Sequence, residues 1–258
     1  MSSIRGEARV RCVEGLCVPV EPPPLLVFSE VYSGEARVRA GLGADLVVVG
    51  ARDRGLVEEA LESGVPVGVD SGLDLGFMEW ALDVGAVLGM SLTREMLGRV
   101  PRRLREEKAF VIIPRSLGSA EDRVRELEAA YRDAIEMGYE LPILDPVLEP
   151  LVMPGALAGF IAARGLRGLG APIMLGINNA YELLDADTTG SIPVLASLAA
   201  EAGASIILVS EESRKALGAT LEARIAADMA SIALKWKMQP KDLGLSLLVF
   251  KEKRPGNW

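Results

Sequence analysis

The chain has 258 residues, of which 50% are hydrophobic, and a formal net charge of −8. This length permits a large buried core, and α/β barrels of this size commonly form one domain, so we expect a single domain. The acidic balance argues against nucleic acid as a partner. Because histidine is absent, Ser-His-Asp and Cys-His nucleophile pairs and His-ligated zinc are excluded, and acid–base chemistry falls to carboxylates, lysine, tyrosine or the substrate.

No apolar run is long enough to span a bilayer, and the N-terminal residues lack the apolar core of a signal peptide. We therefore expect a cytoplasmic protein without membrane contact. Asparagine occurs only at positions 178, 179 and 257, and glutamine only at position 239. This scarcity of thermolabile amides is typical of a thermophile.

Residues 8–20 predict a β-hairpin that turns at Glu14 and Gly15. In that register Cys12 faces Cys17 as a non-hydrogen-bonded pair, in which Cα atoms lie about 4.5 Å apart, so a disulfide is geometrically possible. A reducing cytosol disfavours the disulfide, whereas intracellular proteins of hyperthermophiles are often rich in disulfides. We expect two packed thiols without a catalytic role.

From residue 25 onward, short apolar runs alternate with helical stretches. The predicted strands cover residues 25–30, 45–50, 65–70, 86–91, 110–116, 141–146, 172–177 and 205–211. Eight such βα units predict an α/β protein with a (β/α)₈ TIM barrel fold. The expected organisation is a hairpin over residues 1–22, a barrel over 25–238 and a C-terminal extension over 239–258.

Helix signals agree with this count. Ser71 with Asp74, and Ser119 with Asp122, have capping-box spacing and place helix starts after the third and fifth barrel strands. Helical apolar spacing extends over residues 121–136 and 212–236. We expect the apolar stripe of the last helix to pack on the barrel; its members are Leu217, Leu221, Ile225, Met229 and Ile232.

Polar residues follow the barrel strands, at the end where TIM barrels bind substrates. Asn178 and Asn179 end the seventh strand, and in a chain so poor in amides we favour a ligand site over a simple turn or helix cap. Asp45 begins its strand and belongs to the opposite face. The other strand ends carry Ser29, Glu30, Asp70, Ser91, Arg115, Ser116, Asp145, Ser210 and Glu211.

Carboxylates that face amides suit a flat heterocycle rich in N–H donors, because one carboxylate accepts two parallel N–H bonds and an amide both donates and accepts. A divalent metal held by Glu30, Asp70 and Asp145 is the competing interpretation, since oxygen ligands suit Mg²⁺. The sequence leaves both open.

The segments Val-Gly-Val-Asp70-Ser-Gly and Pro-Ile-Leu-Asp145-Pro resemble the strand-end motifs of dihydropteroate synthase and the wider pterin-binding barrels. The block Gly-Ile-Asn-Asn179-Ala-Tyr-Glu-Leu-Leu-Asp-Ala-Asp and the tail from Pro240 to Arg254 are similar to archaeal dihydropteroate synthase-related proteins. That group is linked to methanopterin-type cofactors. The resemblance extends from about residue 24 to residue 254.

The resemblance implies that Asp70 and Asp145 bind the amino-pyrimidine edge of a reduced pterin and that Asn179 contacts its ring, so these three are the candidate catalytic residues. The chain also departs from the synthase pattern. Asn178, Asn179 and Ala180 stand where synthases have Ser-Arg-Lys, so the usual pterin-contacting lysine is missing.

The implied reaction is condensation of a dihydropterin-CH₂-diphosphate with a phosphorylated arylamine. Glu30 is the candidate ligand of a Mg²⁺ ion that neutralises the diphosphate. The loops after the last two strands are where barrels often bind phosphate. The candidate substrate-binding residues are Asn178, Ser91, Arg115, Thr188, Thr189, Ser191, Ser210 and Arg214.

Two other functions stay open. Asn179 also fits transfer of a methyl group from a methylated pterin to a corrinoid, which requires a partner protein. Alternatively, the missing lysine marks a pterin-binding module without catalysis. By analogy with related barrels, we expect a homodimer.

Overall fold

The computed structural model describes residues 9–248 of the chain. Eight parallel strands form one sheet, and a separate two-stranded antiparallel hairpin precedes it. A parallel bridge between Leu144 and Ile173, with a 2.9 Å hydrogen bond from the Leu144 N–H to the Pro172 carbonyl, joins the two edge strands. The sheet thereby curls into the predicted α/β TIM barrel.

The barrel strands agree with the eight predicted runs to within one to three residues at most ends. The hairpin consists of β1 (Val10–Val13) and β2 (Leu16–Pro19). The barrel strands are β3 (Leu26–Val31), β4 (Leu46–Val49), β5 (Val67–Asp70), β6 (Leu88–Leu92), β7 (Ala109–Ile112), β8 (Leu141–Leu144), β9 (Met174–Gly176) and β10 (Ile206–Val209).

Helices follow the barrel strands and cover the outside. They are α1 (Ala36–Gly41), α2 (Arg54–Leu61), α3 (Leu75–Val84), α4 (Arg102–Glu107), α5 (Ala120–Glu136), α6 (Leu157–Leu166), α7 (Asn178–Tyr181), α8 (Thr188–Ala202) and α9 (Ala219–Trp236). Short 3₁₀ turns cover Arg94–Arg99 and Arg214–Ala216. Within residues 9–248, none of the helices combines the length and the apolar character needed to cross a membrane.

The barrel interior is filled by alternate residues of the strands, as the period of two requires. Phe28, Val48 and Ile143 belong to this inner cluster, and Gly68 leaves room there, because an added Cβ would lie 3.0 Å from Leu88 Cδ2. Leu16 and Val18 of the hairpin belong to the same cluster. The hairpin therefore closes the end of the barrel opposite the strand C-termini.

The hairpin has the predicted register, with Cys12 opposite Cys17. The expectation of two thiols is wrong, because a disulfide joins the two residues. Their Cα atoms lie 4.1 Å apart, which is close enough for the cross-strand bond.

We predict that Cys12→Ser/Cys17→Ser lowers the free energy of unfolding by about 2 kcal/mol, the loop-entropy value for a disulfide that spans so few residues. Urea unfolding of the oxidised wild type, the reduced wild type and the double variant checks this value. Reductant should shift the wild type to the midpoint of the double variant and leave the double variant unchanged. Equal midpoints for the oxidised and the reduced wild type would contradict the prediction.

The last helix corrects two expectations. It begins at Ala219 rather than near residue 212. The predicted stripe does not pack on the barrel as expected, since Leu217 is 66% exposed and Leu221 is also exposed. The buried face is rich in alanine, which allows helices to approach closely, and includes Ala219, Ala223, Ala226, Ala227, Ala230 and Ala233.

The capping predictions have mixed outcomes. Ser119 caps α5 and forms the predicted capping box with Asp122. The cap of α3 is Asp74, whose carboxylate accepts the Phe77 N–H, rather than Ser71. Ser71, the residue that follows Asp70 in the sequence, is fully buried.

Candidate functional site

Three carboxylates lie at the open end of the barrel formed by the C-termini of the strands, which we call the mouth. Each is two residues beyond an inward-facing residue of its strand. Glu30 follows Phe28 by two residues, Asp70 follows Gly68, and Asp145 follows Ile143. Glu30 and Asp145 are only 7% and 8% exposed. The Asp70 charge raises the pKa of both other acids, which places Asp70 within electrostatic reach of each.

Burial raises the pKa of Asp145 to about 7, and the charge of Asp70 adds to this shift. The hydrogen bond from the Val147 N–H to Asp145 Oδ1, 2.7 Å long, and the charge of Arg123 lower the pKa and limit the rise. Val147 has φ +63°, a left-handed conformation that is rare for a β-branched residue. Because its pKa is about 7, Asp145 is present both as the carboxylic acid and as the carboxylate at neutral pH. Perturbed pKa values of this kind are common at functional sites.

Asp70 accepts hydrogen bonds on both carboxylate oxygens. The Gly72 N–H lies 3.0 Å from Oδ1, and the Ser91 hydroxyl donates to Oδ2 over 2.9 Å. Ser91 has φ +69° and sits at an irregularity in the pairing of β6 with β7. Bulges of this kind redirect side chains, and this one turns Ser91 toward Asp70.

Burial also raises the pKa of Glu30 to about 7. The charges of Asp70 and Glu212 raise this pKa further, and the nearby Tyr32 hydroxyl lowers it. Gly50, after β4, makes room for this pair. A Cβ there would lie 2.7 Å from Glu30 Oε1 and 2.6 Å from Tyr32 Cε1. Glu30 also lines a cleft of about 370 Å³ beside the mouth, together with Tyr32, Ser33, Glu35, Arg39, Glu211 and Glu212.

The two asparagines after β9 have different surroundings. Asn178 is 6% exposed, and its Oδ1 is buried without a hydrogen-bond partner among the described residues. This oxygen lies 3.1 Å from the position that a Cβ of Gly176 would take. Asn179 is exposed, and its Nδ2 donates to the Leu148 carbonyl over 3.0 Å. Asn178 thus offers an unused acceptor, whereas Asn179 holds the loop that follows Asp145.

Other predicted site residues have structural partners. Arg115 is exposed and pairs with Glu95, while its backbone N–H donates to Glu126. Ser210 is buried, and its hydroxyl donates to Glu212 over 3.0 Å. The Ser210 backbone N–H and carbonyl both bond the Tyr181 hydroxyl, at 2.8 Å and 2.6 Å.

The predicted phosphate loops contact each other. The buried Thr188 hydroxyl donates to the Lys215 carbonyl over 3.1 Å, and Lys215 Nζ donates to the Leu184 carbonyl. Ser191 donates to the Asp187 carbonyl over 3.2 Å, in the first turn of α8. Thr189 is partly exposed and Arg214 is exposed. Thr188 and Lys215 therefore join the loops after β9 and β10. Thr189 and Arg214 are left accessible to solvent.

Within residues 9–248, no group of three or more histidine, cysteine or acidic side chains is arranged to hold a metal ion. Glu30, Asp70 and Asp145 therefore do not form a ready three-carboxylate metal site. A cation at Glu30 would need most of its oxygen ligands from substrate or water, which is usual for Mg²⁺.

Backbone strain concentrates at the mouth. Positive φ angles at residues other than glycine occur at Ser91 within β6, at Leu73 after β5, and at Val147 and Val152 after β8. Such conformations persist only when the surroundings hold them, and they cluster at functional sites. The mouth is also ringed by exposed apolar side chains, namely Tyr32, Leu73, Leu117, Val152, Met153, Leu183 and Leu217.

Sequence reasoning missed Tyr32, Arg123 and Val147. A signal existed for Arg123 alone, because it shares the helical spacing of Leu127, Ala130 and Ala134 on the buried face of α5. An arginine in an apolar stripe indicates a buried partner.

The fold is a (β/α)₈ barrel similar to that of solved dihydropteroate synthases. The chain matches the Burkholderia cenocepacia dihydropteroate synthase with a TM-score of 0.60 and 19% identity, over 82% of this chain and 93% of that chain. It matches Xanthomonas albilineans dihydropteroate synthase, in complex with indole-2-carboxylic acid and 6-chloroguanine, with a TM-score of 0.59 and 17% identity, over 90% and 99%.

A triple mutant of Plasmodium falciparum HPPK-DHPS with pteroate gives a TM-score of 0.63 and 10% identity, over 92% of this chain and 52% of that chain. In sequence, the chain is 31% identical over 199 residues to an uncharacterized protein of Methanocaldococcus jannaschii, which covers 73% of this chain. The match spans only 38% of that relative's length. No family profile matches the chain. The predicted resemblance is confirmed: the chain has the dihydropteroate synthase fold and an archaeal relative.

Proposed function

We propose that the chain binds a reduced pterin in the barrel mouth and condenses a dihydropterin-CH₂-diphosphate with an arylamine in the biosynthesis of a methanopterin- or folate-type cofactor. The observation that supports this most is the set of three inward carboxylates, of which Glu30 and Asp145 are buried with pKa values raised to about 7. Buried acids are costly to keep, and the contacts within the protein leave carboxylate acceptor sites unfilled. A ligand with several N–H donors would satisfy them.

A pterin supplies these donors from its amino-pyrimidine edge. An ionised Asp145 accepts the 2-amino group and the adjacent ring N–H side by side. Asp70, fixed by Gly72 and Ser91, supports the same edge, and the free Asn178 oxygen accepts a further N–H. The pteroate in the Plasmodium structure carries such an edge, and the 6-chloroguanine in the Xanthomonas structure shares its 2-amino group.

In the proposed reaction the arylamine nitrogen attacks the pterin CH₂ carbon, and diphosphate leaves with the electron pair of the broken C–O bond. The proton that the arylamine nitrogen loses passes to the departing diphosphate or to water. The carboxylates of Asp70 and Asp145 stabilise the developing positive charge on the pterin. Mg²⁺, held by Glu30 together with phosphate oxygens, would supply charge neutralisation for the diphosphate. Thr189, Ser191 and Arg214 are the groups that we assign to the phosphate of the arylamine.

The second candidate function is methyl transfer from a methylated pterin to a corrinoid on a partner protein. Two observations favour it: the ring of exposed apolar side chains around the mouth suits docking of a macromolecule, and the buried Ala180 stands where the synthase lysine is expected. A non-catalytic pterin-binding module would share the pocket and lack both reactions.

We also propose a homodimer in which a second copy covers exposed apolar residues on the outer helices. Ile161 in α6, Val194 and Leu198 in α8, and Leu221 in α9 are exposed. Burial of such side chains contributes to association in proportion to the apolar area removed from water.

Calorimetric titration with 7,8-dihydropterin-6-ylmethyl diphosphate and Mg²⁺ tests the proposal, followed by an assay for diphosphate release with arylamines. We expect Asp70→Asn to weaken binding at least about tenfold, because its charge-assisted contacts are lost. Asp74→Asn, which alters the nearby cap of α3, is the matched control and should bind as the wild type does.

The outcomes separate the candidates. Binding with diphosphate release supports the synthase, whereas binding of the pterin without turnover supports the module. Methyl transfer from a methyltetrahydropterin to free cobalamin supports the second candidate. A folded wild type that binds no pterin would refute the pterin site.

A further inference from the structure

Arg123 is fully buried in α5, with 1% of its surface exposed. Its Nε donates to the Gly118 carbonyl over 3.2 Å, and its Nη1 donates to the carbonyls of Pro146 and Val147 over 3.2 Å and 2.8 Å. Its Nη2 pairs with the Glu149 carboxylate. A buried guanidinium is tolerated only when it is paired and hydrogen-bonded in this way. Three of its acceptors lie in residues 146–149.

The segment that Arg123 binds comes directly after Asp145 and contains the left-handed Val147. This backbone conformation aims the Val147 N–H at Asp145 Oδ1, 2.7 Å away. A valine does not favour φ +63° by itself, so the surroundings must maintain it. The bond from Arg123 to the Val147 carbonyl acts on the strained residue itself.

Two further elements contact the same segment. Gly159 in α6 lies so close that an added Cβ would be 2.7 Å from the Val147 carbonyl oxygen. Asn179 Nδ2 donates to the Leu148 carbonyl over 3.0 Å. Within residues 9–248, Arg123 alone binds the segment at more than one residue through charge-assisted bonds.

We infer that Arg123 is a positioning residue of the candidate site: it holds Val147 in the left-handed conformation, so that the Val147 N–H fixes the Asp145 carboxylate for the ligand. Arg123 does not touch the ligand itself. The inference rests on the proposed function for the identity of the ligand, whereas the contacts that carry it belong to the protein alone.

A double-mutant cycle tests this role by calorimetric titration with 7,8-dihydropterin-6-ylmethyl diphosphate and Mg²⁺. Arg123→Met is expected to weaken binding about tenfold or more, as loss of supporting partners does at other sites. Val147→Gly should bind within about threefold of the wild type, because glycine takes positive φ without a steric cost. Because glycine at position 147 does not need Arg123 to hold its conformation, Arg123→Met should lower the affinity of the Val147→Gly protein only about threefold.

Arg125→Met is the matched control, because Arg125 is exposed in the same helix and pairs only with Asp122 among the described residues. It should leave affinity unchanged. Equal losses from Arg123→Met in both backgrounds would overturn the inference, since a general loss of stability would not depend on residue 147. If Arg123→Met does not fold, Glu149→Gln takes its place in the cycle.

Hydrogen exchange in the ligand-free protein provides an independent measurement. We expect the amides of residues 147–149 to exchange at least about tenfold faster in Arg123→Met or Glu149→Gln than in the wild type, and unchanged in Arg125→Met, because local opening of the segment becomes easier. Unchanged exchange would overturn the inference. If the wild type binds no pterin, the proposed function fails, while exchange still decides whether Arg123 holds the segment.

Discussion

Replacement of Asp145 by asparagine is expected to stabilise the ligand-free protein at neutral pH and to weaken pterin binding about 100-fold. Asparagine has the same shape and still accepts the Val147 N–H through Oδ1. It removes a buried charge that the free protein tolerates at a cost. It also loses the carboxylate that accepts two parallel N–H groups, and charge-assisted bonds are the stronger ones.

The sign of the pH dependence follows from the raised pKa. An unfolded aspartate titrates near 4, whereas Asp145 in the folded protein has a pKa of about 7. Between these values the folded protein keeps a proton that the unfolded chain has released, so stability falls as pH rises and levels off above about 7. Asp145→Asn removes this loss of stability. The variant therefore exceeds the wild type in free energy of unfolding by almost nothing below pH 4 and by about 4 kcal/mol above pH 7.

Urea unfolding at pH 5 and pH 8, with calorimetric titration at both, measures the two effects. Wild-type affinity should rise with pH as Asp145 ionises. The variant should lose this contribution and keep the one from Glu30, whose pKa is also raised to about 7. Glu62→Gln is the control for the change in charge, because Glu62 is exposed on the surface. A variant that has the pH dependence of the wild type, or its affinity, would contradict the assignment of Asp145.

The features that the sequence predicts well are those determined by neighbouring residues. Short apolar runs between helical stretches predict all eight barrel strands. In the structure, the period of two continues to the end of each strand and directs Glu30, Asp70 and Asp145 inward. The hairpin register follows from the turn at Glu14 and Gly15. The spacing of Ser119 and Asp122 predicts the start of α5.

The features that the sequence does not predict depend on a partner distant in the chain. Leu217 and Leu221 have helical spacing, yet α9 buries its alanines instead, because it packs against α8. Asn178 and Asn179 are adjacent and chemically identical. Yet Asn178 is buried with an oxygen that has no partner among the described residues, whereas Asn179 is exposed and bonds the Leu148 carbonyl. Periodicity describes one element at a time, so it cannot show which of two polar neighbours is already occupied.

Glu211 is a second case in which the sequence does not show the partner. Its position at a strand end suggests a ligand site, but its carboxylate is bonded to other residues of the protein. Its carboxylate pairs with Arg39 of α1 and accepts the N–H groups of Gly218 and Thr220, at 2.8 Å and 3.0 Å. Only 4% of either side chain in the pair is exposed. Arg39 thereby connects α1 to the start of α9 through a carboxylate that is nearly buried.

Arg39→Met is therefore expected to lower the free energy of unfolding by about 3–5 kcal/mol, because the Glu211 charge would be left buried without a counter-charge. Glu35→Gln removes the other, half-exposed partner of Arg39 and should cost no more than about 1 kcal/mol. The double variant Arg39→Met/Glu211→Leu should recover much of the loss, since an apolar pair replaces the ion pair. Urea unfolding of the three variants at pH 7 measures these differences. If Arg39→Met costs no more than Glu35→Gln, then Glu211 is not held by Arg39 and becomes available to the cleft beside Glu30.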